Sequence, residues 1–142
     1  MVQRTSGGTE SMSGRVVAVG DGDTLRVLVA RREVKVRLYG IDSPEAHQAF
    51  GTQAKKFTSQ KAFGKTVTVE VRDTDQYGRT VGEVILPDGT NLNALIVKSG
   101  YAWAYRHHSR KFIPEEEEAK ADRRGLWKDR NPIPPWEFRR AN

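Results

Sequence analysis

The 142-residue chain has no cysteine, which excludes a disulfide framework and any thiolate metal site. Histidine is scarce, and its three copies, His47, His107 and His108, stand apart from the acid–arginine pattern described below. They are expected at the surface or beside a substrate, not in catalysis. Long hydrophobic runs are also missing, and no stretch reaches the length that a membrane-spanning helix needs. The opening residues MVQRTSGGTESMSG lack the apolar region of a signal peptide. Residues 1–13 therefore read as a flexible lead, and residues 14–142 as one domain whose tail begins near residue 128. No internal repeat is visible.

What the chain does have is positive charge. Its formal net charge is +6, with a pI near 9.8. The lead carries one arginine and one glutamate, so the excess belongs to the domain. A basic domain points to a polyanionic partner, nucleic acid above all, although charge of this size also serves solubility.

Short β-branched runs, RVVAV (15–19), TLRVLVA (24–30) and EVKVRLYG (33–40), predict three strands, parted by GDGD and by RR. TVTVEVR (66–72) alternates with Val67, Val69 and Val71 on one face, and RTVGEVILPDG (79–89) predicts a fifth strand closed by a Pro-Asp-Gly turn. Residues 50–63 place Phe50, Ala54 and Phe57 on one helical stripe. In LNALIVKSG, Asn93 is the expected N-cap, Leu92 and Val97 the expected staple, and Gly100 the stop. A third helix starts at Pro114, with Glu115–Glu118 read as a solvated first turn and basic residues late. Trp103, Trp127 and Trp136 are read as core or tail anchors and not as stacking platforms. The order predicts a mainly β, α+β domain: an OB-fold five-stranded antiparallel barrel with three helices.

The segment RLYGIDSPEA (37–46) gathers Arg37, Asp42 and Glu45 where a strand ends. Such a cluster suits a surface ion network, a metal site or a phosphate-processing centre. If Arg31–Arg32 is a two-residue hairpin loop, Leu25 faces Leu38, and Asp23 arrives at the same strand end as Asp42. Ordinary packing gives no reason to place two like charges there, whereas a cation would remove their repulsion. Oxygen ligands alone suit a hard ion such as Ca²⁺ or Mg²⁺, with water and a substrate oxygen completing the shell. In that register Arg37 has the wrong strand parity, so a twist or bulge is expected to bring it to the acids. DQYGRT (75–80) offers a second arginine, Arg79, after a tight turn.

In order and spacing, DGDT (21–24), VRLYGIDSPE (36–45), AFGTQA (49–54), DQYGR (75–79), LIVKSG (95–100) and RRGLW (123–127) resemble the staphylococcal nuclease family. The resemblance runs from about residue 14 to the C-terminus. It implies a Ca²⁺-dependent nuclease that hydrolyses DNA and RNA and releases 3′-phosphate ends. By position it implies Asp23, Asp42 and the Ser43 carbonyl as Ca²⁺ ligands, with Asp21 holding water near the ion. It implies Arg37, Arg79 and Glu45 as catalytic groups, Tyr77 at the phosphate and Tyr105 near the base. It further implies a secreted or periplasmic monomer with no membrane partner. Two other readings stay open on the residues alone: a nucleic-acid-binding barrel without activity, and an interaction domain for a protein or peptide.

Overall fold

The computed structural model describes residues 2–4 and 10–141. A short strand β1 (Val2–Arg4) pairs with β2 (Glu10–Val19), followed by β3 (Thr24–Val29), β4 (Arg32–Leu38) and the two-residue β5 (Ile41–Asp42). Helix α1 (Gly51–Ala62) precedes β6 (Thr66–Thr74) and β7 (Thr80–Ile85). Then come α2 (Leu92–Lys98), β8 (Trp103–Ala104), α3 (Ile113–Ala121), a 3₁₀ turn (Gly125–Lys128) and α4 (Pro135–Ala141).

Strands β2, β3, β4, β7 and β6 form a closed barrel, because β6 also pairs with β2. Closure removes the sheet edges and turns one face of every strand inward. Four of the pairings are antiparallel, and β4–β7 is parallel. A parallel pair needs a long crossover, and α1 with β6 supplies it. The alternating residues meet inside as expected: Val16, Leu25, Val27, Val36, Leu38, Val67, Val69 and Val84 are buried. Leu92, Ile96 and Val97 of α2 and Phe112 close one end of this core.

Several local expectations are corrected. The strand expected at residue 15 begins at Glu10, since Ser11–Arg15 pair with Thr66–Glu70, so residues 10–13 belong to the barrel and not to a flexible lead. Residues 2–4 of that lead form β1, while Met1 and residues 5–9 lie outside the described residues. The hairpin turn is Ala30–Arg31, not Arg31–Arg32: Val29 pairs with Arg32 and Leu25 with Val36. Ala30 adopts φ +56°, which a two-residue hairpin turn accommodates. A slip of one residue on each strand leaves the apolar face intact, so alternation alone could not choose between these registers.

The N-cap of α2 is Asn91, whose side chain accepts from the Ala94 amide at 3.1 Å. Asn93 is instead fully buried, and Leu92 and Val97 are core residues. Gly100 ends the region with φ +85°, as anticipated. The tail adds a fourth α-helix to the three predicted. Within α3, Glu116 is not solvated: it is fully buried and ion-paired with Arg106 at 2.6 Å. Glu83 is buried likewise, held by Lys111 at 2.7 and 2.9 Å, Arg72 at 2.9 Å and Asn91 at 2.8 Å. Both carboxylates obey the rule that a buried charge is paired.

Candidate active site

The site lies where β3 begins and β4 ends. The turn leading into β3 is held by the Thr24 hydroxyl, which accepts from the Asp21 amide at 2.7 Å. Helix α1 grips the same turn from behind, with Thr58 donating to the Gly22 carbonyl at 2.6 Å. Asp23 is thereby buried, and one of its carboxylate oxygens accepts from the Ser43 amide at 2.8 Å. After β4 the chain turns through Gly40, at φ +74°, into β5. Asp42 there pairs with Trp103 of β8 and is 1% exposed.

Arg37 joins the two aspartates without a bulge, since the β3–β4 ladder is regular to Thr24–Arg37. Its guanidinium donates to the Leu38 carbonyl at 2.8 Å and lies 3.4 Å from Asp23 and 3.5 Å from Asp42. The return of the chain at Gly40 and the length of the side chain do what a bulge was expected to do. Glu45 follows in a loop closed by hydrogen bonds with Gln48. Gly51 fits under this loop only because it has no side chain: a Cβ there would fall on the Glu45 carbonyl.

Arg79 sits at the entrance to β7, where Thr80 pairs with Val36 and Val81 with Arg37. Alternation therefore puts Arg79, Val81 and Arg37 on one face of the sheet. Its partner within the described structure is Asp75, at 2.6 Å, not an acid of the Asp23–Asp42 pair. Asp75 also accepts from the Tyr77 and Arg79 amides, both at 2.9 Å, which folds DQYGR into a compact turn. Burial is the largest single influence and pushes the Asp75 carboxyl up, but the hydrogen bonds from Arg79 and Tyr77 together outweigh it and hold the carboxyl below its usual range. Asp75 was not singled out from the sequence, although an aspartate two residues before a Tyr-Gly pair is a recognisable side-chain-to-backbone turn signal. Tyr77 is 74% exposed at the tip, its ring 5.7 Å from the Arg79 guanidinium.

Tyr105 is tied to the site through its amide, which donates to the Gly40 carbonyl at 2.9 Å. Its ring stacks on His108, with centroids 4.6 Å apart, and on Trp136 of α4 at 5.4 Å, both at 19°. His107 and His108 are exposed, as expected. The residue that the sequence reading missed is Arg139 of α4. Its guanidinium contacts Asp42 at 2.7 and 3.2 Å and Glu45 at 2.5 Å. The two late arginines of the tail were its signal, but only the fold brings the tail to residue 42.

Burial raises the Asp42 carboxyl above its usual range, with the Asp23 charge adding to it and the Arg139 hydrogen bond opposing it. Asp21, half-buried, is raised by burial and then by the charges of Asp23 and Glu45. Such crowding of acids is stable only beside cations. No group of three acidic or histidine side chains meets at one point among the described residues. Both carboxylates are engaged by arginine, Asp23 by Arg37 and Asp42 by Arg37 and Arg139; of the oxygen donors present, these two are the kind a hard cation takes.

The family model described as "Staphylococcal nuclease homologue" matches residues 35–129. Protein ParB of Escherichia coli is 44% identical over 92% of this chain and 81% of its own length. An uncharacterized endonuclease of Escherichia coli O157:H7 is 43% identical over 89% of this chain and 84% of its own. A micrococcal nuclease of Shigella flexneri is 42% identical over 91% and 81% respectively. The fold defines the class, an OB-type α+β barrel that carries an acid–arginine cluster at one end. The chain belongs to the staphylococcal nuclease family, and it is a nuclease.

Proposed function

We propose that this nuclease is a Ca²⁺-dependent phosphodiesterase that cleaves DNA and RNA and leaves 3′-phosphate ends. The observation that carries the reading is the convergence on Asp42. One of its carboxylate oxygens lies 3.5 Å from Arg37 and 3.2 Å from the Arg139 nitrogen that also contacts Glu45. Two acids, a nearby carboxylate and an arginine fork thus stand within one side chain's reach of each other.

Asp23 and Asp42 would hold the ion, with the Ser43 carbonyl and with Asp21 behind. A bound divalent ion supplies neutralisation of phosphate charge. The chain's own residues do the rest. Attack on a phosphodiester adds negative charge to its non-bridging oxygens, and Arg37 and Arg79, on one face of the sheet, present planar two-pronged donors to that charge. Glu45 would orient or deprotonate water, help worth roughly 10²–10⁴-fold. Tyr77, exposed beside Arg79, would meet a phosphate, and Tyr105 would stack on a base where Trp136 now lies against it.

Digestion of single-stranded DNA and RNA in Ca²⁺, in Mg²⁺ and in excess EGTA tests this. Full cleavage in Ca²⁺, less in Mg²⁺ and none in EGTA is expected, with 3′-phosphate on the products. Undiminished cleavage in EGTA would overturn it.

A further inference from the structure

Helix α4 does more than cover the barrel. Arg139 is 42% exposed, yet its guanidinium reaches the 1% exposed Asp42 and also contacts Glu45. Trp136, one turn earlier, lies nearly parallel to Tyr105 at 5.4 Å and edge-on to Trp103 at 5.6 Å. We propose that α4 is an internal occupant of the nucleotide site, its Arg139 standing where the cation would bind and its Trp136 where a base would stack. The inference rests on the proposed Ca²⁺ and nucleic-acid reading.

Three features make the occupant displaceable. The helix has seven residues, far fewer than the roughly 12–15 at which an isolated helix becomes even marginal in water, so it depends on its docking contacts. A cleft of about 150 Å³, partly open to solvent, lies between the tail and the loop beneath it, lined by Pro44, His47, Phe50, Ile133 and Phe138 among others. Finally, two of the contacts that hold the tail, Arg139 on Asp42 and Trp136 on Tyr105, are ones a ligand would take. A divalent ion competes with Arg139 for Asp42, and a base competes with Trp136 for Tyr105. If the docked state is favoured about tenfold, the apparent affinity for either ligand falls about tenfold.

The test uses the full chain with Arg139→Gln and, as a charge-matched neighbour, Arg140→Gln. Ca²⁺ binding is measured by calorimetry without nucleic acid, and binding of a single-stranded oligonucleotide by fluorescence anisotropy in EGTA. Arg139→Gln should bind Ca²⁺ about tenfold more tightly than the parent, with Arg140→Gln within about twofold. The oligonucleotide should bind Arg139→Gln more tightly than the parent, and unchanged binding overturns the placing of Trp136 in a base site. An unchanged Ca²⁺ affinity in Arg139→Gln, or an equal gain in Arg140→Gln, overturns the inference while leaving the proposed function standing. Weaker oligonucleotide binding by Arg139→Gln also overturns it, since Arg139 would then be a phosphate ligand. If no protein binds Ca²⁺, both fall together.

Discussion

Arg37→Lys separates a role in charge stabilisation from a role in holding the fold. The side chain is 16% exposed, donates to the Leu38 carbonyl at 2.8 Å and, more weakly, to Asp42 at 3.5 Å, and lies 3.4 Å from Asp23. Lysine keeps the positive charge beside Asp23 and Asp42, so the electrostatic balance of the resting site survives. What is lost in folding is chiefly one hydrogen bond, about 0.5–1.5 kcal/mol. What is lost at the transition state is a planar fork, because a single ammonium cannot bridge two oxygens. Removal of one preorganised donor costs about 3–4 kcal/mol, which at 1.36 kcal/mol per decade is roughly 150- to 900-fold in rate. The barrier is therefore expected to change at least twice as much as stability. Urea unfolding gives the second quantity, and steady-state cleavage of single-stranded DNA in Ca²⁺ gives kcat and KM. A folded variant with kcat within about threefold of the parent, a barrier change near 0.7 kcal/mol, would refute the reasoning. So would a loss confined to KM, which would place Arg37 in ground-state binding.

Gly51→Ala should lower kcat while the barrel stays folded, because the new Cβ must displace the Glu45 carbonyl and the loop that carries the carboxylate; circular dichroism and cleavage rates check both halves. Asn93→Ala should cost about 2–6 kcal/mol, since it strands the Val84 amide and the Tyr39 carbonyl in the core at about 1–3 kcal/mol each; a midpoint shift in urea worth under 1 kcal/mol would contradict it. At Glu83, burial pushes the carboxyl up, but hydrogen bonds from Lys111, Asn91 and Arg72 win and hold it below its usual value. Its stabilisation is therefore complete above the unfolded carboxyl pKa, about 4.3, and is lost as pH falls through the lower folded value. Glu83→Gln should flatten that acid limb, measured by urea unfolding from pH 3 to 7, and Lys111→Met should destabilise more at pH 7 than Glu83→Gln. The order follows from exposure: Lys111 is 48% exposed and can turn to water, while Glu83 at 1% cannot and would be left with Arg72 as its one remaining cation among the described residues.

How much was legible from the sequence differs between elements for physical reasons. Val67 and Val69 alternate on a half-buried strand, Pro87–Gly89 can only turn, and Gly100 ends a helix; each signal is local, and each element formed where expected. The α2 cap was misplaced by two residues because Asn91 and Asn93 look alike in the chain. Only the burial of Asn93 against Tyr39 and Gly82 tells them apart. Glu116 looked solvated because its three glutamate neighbours hid it, and its burial depends on Arg106 arriving from another segment.

The sequence by itself determined the barrel, the strand ends that carry Asp23, Arg37 and Asp42, and the membership of the nuclease family. Those rest on periods of two and on ordered motifs, which survive a shift of register. Tertiary structure alone decided the rest. It set the hairpin one residue earlier, because either turn keeps the apolar face inside. It paired Arg79 with Asp75 and gave Asp42 a partner 97 residues away in Arg139. Contacts at such separations depend on how the closed barrel presents its end to the tail, and no local pattern encodes them.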